Sequence, residues 1–138
     1  MHAADGDADS TVRCVVHAHA LSHELFGQDS LEAADVATAL LPACADVRPQ
    51  LAVKLADAAL RSRASTLGHR HPSTAAAHRN LGLSLLAAGE GENAVGEYES
   101  ALQIIRLLHG DDSATVGDGV ELLATVRRQA LGRDYWQH

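Results

Sequence analysis

Three glycines set most of what this chain can fold into. Gly27, Gly68 and Gly110 stand forty-one and forty-two residues apart, and each closes a similar stretch of sequence. An alanine lies nine residues before each of them: Ala18, Ala59 and Ala101. Leu51-Ala52-Val53 before Gly68 matches Asn93-Ala94-Val95 before Gly110. Three residues after each glycine comes Ser30, His71 or Ser113, and thirteen residues after it comes Leu40, Leu81 or Leu123. Glycine ends a helix in backbone that other residues avoid. A small polar residue then offers the next helix an N-cap, and Pro72 suits a first helical position. A period of this length is the mark of stacked supersecondary units.

The composition agrees on helices. Twenty-six alanines stand against ten valines and two isoleucines, with aromatics at 3%. Alanine favours helix and disfavours strand, so a β-sandwich or barrel is excluded. Each period reads as glycine, loop, helix A, turn, helix B. This places helices near 10–26, 31–46, 50–66, 72–88, 91–108 and 114–131. Val47-Arg48-Pro49 and Gly89-Glu90-Gly91 mark the turns inside the two full periods. Residues 1–8 are expected as a disordered acidic tail, 9–132 as the helical repeat domain, and 133–138 as a second tail. Pro42 is expected to kink the first helix A or end its regular part near Leu41. Gly117 and Gly119 should weaken the last helix by about 1 kcal/mol each.

Residues 68–110 resemble a tetratricopeptide repeat. Leu81, Gly82, Leu85, Ala94, Tyr98 and Ala101 occupy that family's large and small positions in register. The period and the Gly68-x-x-His71-Pro72 opening resemble its longer, kinesin-light-chain type. The resemblance implies an all-α solenoid of about six helices in antiparallel pairs, wound as a right-handed superhelix. Leu40, Ala52, Ala59 and Leu123 carry the packing pattern into the other periods. Repeat one departs from it: Leu41 stands at the glycine position and Ala56 at the Tyr98 position, so looser packing is expected there. The run from Ala101 to Gly110, followed by one more helix, is also similar to the C-terminal helical array of SET- and MYND-domain lysine methyltransferases. That implies an alternative role as an accessory arm, since these 138 residues leave no room for a SET domain and show no zinc-cysteine cluster.

In the tetratricopeptide family the A helices line a concave face that holds peptides. Carried onto this sequence, the partner-binding candidates are Arg79, Asn80 and Leu83 on the second helix A, and Asp118, Glu121, Thr125 and Arg128 on the last. Ala76 and Leu122 are expected to face inward on the same two helices, and Thr38 and Asp35 are the secondary candidates on the first helix A. An asparagine amide donates and accepts, which suits a peptide backbone. A guanidinium takes a carboxylate, and acids one turn apart receive a basic residue. The expected function is a non-catalytic interaction module with a protein or peptide partner and no cofactor. Weak self-association is expected where the array leaves an unpaired helix B and an unpaired helix A, or capping there by Tyr135 and Trp136.

Other functions are disfavoured. A formal charge of −7 argues against nucleic acid and anionic membranes. Arg127, Arg128 and Arg133 read as cations near a helix C-terminus. Neither a basic leader nor an apolar run of membrane-spanning length is visible, so a cytoplasmic or nuclear setting is expected. Cys14 and Cys44 fit no metal or redox motif and are expected as buried small hydrophobes. Nine histidines include His19 and His23 one turn apart, but no set of three or four converging ligands, so no metal is expected. Asp5-x-Asp7-x-Asp9 lacks the glycine and glutamate of a calcium loop. Glu90, Glu92, Glu97 and Glu99 are expected on a solvated convex side.

Overall fold

The computed structural model describes the backbone of residues 2–137 and the side chains of residues 7–130. The chain is an all-α helical-repeat solenoid. Six helices follow one another: α1 (His2–Phe26), α2 (Leu31–Cys44), α3 (Pro49–Leu67), α4 (Pro72–Ala87), α5 (Gly91–His109) and α6 (Ala114–Gln137). The extensive helix–helix contacts are all between consecutive helices, α1 with α2 through α5 with α6. The short loops between them make neighbours antiparallel, and neighbour-only contact is how repeat arrays are built. Among the described residues there is no strand.

The periodic glycines work as their spacing suggests. Gly27, Gly68 and Gly110 adopt φ of 92°, 93° and 83°, where a Cβ would be strained. Each of their amides closes the last turn of the preceding helix, at 2.9–3.0 Å. The next helix is then capped. Ser30 Oγ accepts from the Ala33 amide at 3.1 Å, His71 Nδ1 from Ser73 at 3.0 Å, and Ser113 Oγ from Val116 at 3.2 Å. Each such cap is worth ~1 kcal/mol.

Three expectations need correction. First, α1 begins at His2 and α6 extends to Gln137, beyond the helix bounds of 10–26 and 114–131 expected for them. No proline interrupts either stretch, so each helix propagates at one bond per residue. Second, α2 runs past Pro42 to Cys44, and the Ala45 amide still bonds Leu41 O at 2.9 Å. A proline in the last turn forfeits only its own bond to the residue four back. Third, Cys44 is fully buried but Cys14 is exposed, on the outer side of α1.

Among the described residues, ten of the twenty-two buried hydrophobic ones are alanines, so helices approach closely over small side chains. Ala52, Ala59, Leu81, Gly82, Leu85, Ala94, Tyr98, Ala101 and Leu123 are all buried; Leu40 is half-buried against the first cluster. A Cβ on Gly82 would stand 2.6 Å from Tyr98 Cε2 and 2.8 Å from Cδ2, so the ring lies directly on that glycine. Repeat one reverses the sizes. Leu41 takes the glycine position and packs against the cluster that holds Ala56, which takes the tyrosine position.

Candidate functional site

The A helices α2, α4 and α6 leave two grooves between them. One lies between α2 and α4, with a volume of about 400 Å³, lined by Thr38, Leu41, Pro42, Asn80, Leu83 and Ser84. The other lies between α4 and α6 over α5, about 250 Å³, lined by residues including Ala76, Arg79, Tyr98, Ile105, Asp118 and Leu122. Leu83 is 58% exposed and Leu122 37%, unusual for leucines that border a depression.

The seven candidate residues do not form one site. Asn80 and Leu83 belong to the α2/α4 groove, Arg79 and Asp118 to the α4/α6 groove. Glu121, Thr125 and Arg128 line neither. Thr125 donates to the Glu121 carbonyl at 3.0 Å and accepts from Arg128 at 3.3 Å, so these three are tied to one another along α6. Thr38 and Asp35 are also engaged, both by Arg63. Its Nη2 lies 3.1 Å from Thr38 Oγ1 and 3.4 Å from Asp35 Oδ1.

Arg63 is a residue the sequence reading overlooked. It stands forty-two residues before Ile105, which floors the α4/α6 groove. The equivalent position beside the α2/α4 groove therefore holds an arginine whose side chain is only 12% exposed and bonds Thr38 of the groove wall. The period offset was the available signal. Tyr98, assigned to packing alone, also lines the α4/α6 groove. Burial pushes its phenol above the ordinary value, and the nearby Arg79 charge acts in the opposite sense.

The opposite side is more polar. A depression of about 520 Å³ between α3 and α5 is lined by Lys54, Asp57, Glu92, Asn93 and Glu97 among others. Glu97 is not simply solvated: its carboxylate is 2.8 Å from His78 Nδ1, and this bond ties α5 to α4. Glu99 bonds Arg127 at 3.2 Å, so part of the C-terminal basic cluster is already paired. Arg133, Tyr135, Trp136 and Asp5 lie outside the described side chains. Among the described residues no three His, Cys, Asp or Glu gather as metal ligands, and no helix is long and apolar enough to cross a membrane. His19 and His23 stack edge to face with centroids 4.2 Å apart, and His19 Nε2 is buried with no partner.

No family model matches the chain. No curated protein matches it.

Proposed function

We propose that this chain is a non-catalytic, tetratricopeptide-like interaction module that holds a peptide segment of a partner protein across the grooves between its A helices. The observation that carries the reading is the pairing of exposed apolar walls with polar groups there. Leu83 and Pro42 border Asn80 in one groove; Leu122 and Ile105 border Arg79 and Asp118 in the other. Apolar clefts with a few convergent polar groups are the usual form of a recognition site. An extended peptide would set apolar side chains into the two grooves, while Asn80 meets its backbone and Arg79 and Asp118 meet its charges. The reading needs neither metal nor cofactor, and free cysteines suit a cytoplasmic or nuclear setting.

The methyltransferase-arm alternative rests on the 101–110 run. Ala101, Leu102 and Ile104 of that run are core residues of α5, which any stacked helix pair requires.

Partner capture by the wild-type chain and by an Arg79→Ala/Asn80→Ala variant tests the proposal. Both positions border solvent, so the variant should keep its circular dichroism and lose the partner. Undiminished capture would sink the assignment to this face.

A further inference from the structure

Outside the grooves, an apolar stripe lies on the outer side of α1. Leu21 and Leu25 are 42% and 66% exposed, and Cys14 is exposed one turn-pair earlier on the same stripe. Period offsets say what this stripe is. Cys14, Ala18 and Leu21 correspond to Leu55, Ala59 and Ser62 on α3, and to Glu97, Ala101 and Ile104 on α5. On α3 and α5 those positions face the A helix of the same pair. Leu55 and Ala59 cluster with Ala34 and Ala37 of α2. Ala101 and Ile104 cluster with Ala75 of α4. An A helix, α2, packs on α1 through Val15, and among the described residues no helix covers this other stripe.

At the other end α6 is an A helix packed on α5, and among the described residues no helix covers its opposite face. Its residues Gly117, Val120 and Ala124 correspond to Ala75, His78 and Gly82 of α4, which receive α5. Val120 is 43% exposed, and a Cβ on Gly117 would meet nothing within 4 Å.

We propose that a second copy of this chain stacks head to tail on the first, its α6 covering the open face of α1 as α2 covers α3 and α4 covers α5. Three observations select this occupant. The first is size. The internal pair Ala75/Ile104 becomes Gly117 of the second copy against Leu21, and the bare glycine leaves room for the leucine. The second is polarity. The hydrogen-bonded pair His78/Glu97 becomes Val120 of the second copy against Cys14, apolar on both sides. The third is charge. Leu86, which packs beside Ala94 at the start of α5, corresponds to Arg128, while Glu90 corresponds to Asp7. The joint would thus bring an exposed arginine to the acidic beginning of α1. Such a contact is heterologous and does not close, so it yields a series of oligomers rather than one dimer. A single helix pair buries little area, so the association is weak and grows with concentration.

The proposal is independent of the peptide reading and is tested by sedimentation of the full chain with two blocked variants. Leu21→Glu/Leu25→Glu blocks α1, and Gly117→Glu/Val120→Glu blocks α6; all four positions avoid the chain's own core. Wild type should rise with concentration from 14.5 kDa to twice that mass and beyond. Each variant alone should stay monomeric, and an equimolar mixture should form a complex that stops at two chains. A wild type that remains monomeric at millimolar concentration overturns the proposal. So does an α6-blocked variant that still self-associates, which would mean α1 pairs with α1, and so does a mixture that forms no complex.

Discussion

The Gly82/Tyr98 and Leu41/Ala56 pairs fill the same space with opposite assignments of size, so transplanting one pair into the other site should succeed. Consider Gly82→Leu, Tyr98→Ala and the double substitution. Tyr98→Ala alone removes a ring that is 4% exposed. Truncating a buried aromatic costs ~3–5 kcal/mol. Gly82→Leu alone drives a side chain into Tyr98 Cε2, already 2.6 Å from where a Cβ would sit. Overpacking of that kind costs ~1–3 kcal/mol, against which the helix-propensity gain over glycine returns ~1 kcal/mol. In the double variant the introduced leucine occupies the vacated space as Leu41 does beside Ala56. It does not reach α6, where Tyr98 also clusters with Val116, Leu123 and Val126, so recovery is incomplete. The expected coupling is ~2 kcal/mol in favour of the double. Urea unfolding followed by far-ultraviolet circular dichroism measures all four proteins. A double variant whose loss equals the sum of the two singles would refute the exchange.

Three further outcomes are expected. Cys14 is exposed while Cys44 is buried with its thiol pKa raised by that burial, so a thiol reagent should titrate one group in the native chain and two in urea; two fast native thiols would contradict the packing of α2. Desolvation, then the His23 charge, hold the His19 pKa below its ordinary 6.5, so below that pH the unfolded chain binds a proton that the folded chain resists. Stability should therefore fall as pH drops from 7 to 5, and His19→Gln should flatten that fall in urea midpoints; an unchanged slope counts against it. Arg63→Ile should open the α2/α4 groove to the shape of its neighbour at a stability change within ~1 kcal/mol, because the partner Asp35 side chain is 76% exposed. Binding of an apolar dye should increase, and no increase would mean that Arg63 does not fill the groove.

The fold was legible because its determinants repeat. Gly27, Gly68 and Gly110 need left-handed backbone, Ser30, His71 and Ser113 cap the helices that follow, and each demand shows in the sequence at a fixed offset. Helix ends were less legible where no breaker marks them, as at His2 and Gln137. The candidate site was legible only as a face. Placing Arg79 and Asn80 on an A helix follows from register, yet adjacent residues of one helix open into different grooves. Arg63, His78 and Glu97 were missed because their roles depend on what lies across a helix boundary. A largely buried arginine and a histidine–glutamate bond carry no local sequence signature.

Those boundary-dependent residues also make the array directional. Perfect repeats would present identical grooves, and a peptide could slide by one period at no cost. Here the α2/α4 groove has its Thr38 bonded by Arg63 and carries the amide of Asn80, while the α4/α6 groove has Ile105 with Arg79 and Asp118. A bound segment shifted by one repeat would lose its charged contacts to Thr38 and Ala76, the residues that stand where Arg79 and Asp118 stand in the neighbouring groove. Buried polar groups left without partners penalise such a shift more than matched apolar contacts reward it. The same reasoning holds at the ends. In the proposed joint Leu21 would meet a glycine and Cys14 a valine, and neither α2 nor α4 offers that combination at the equivalent positions. Under both proposals, departures from the repeat, more than the repeat itself, would therefore set register for a peptide along the grooves and for a second copy at the joint.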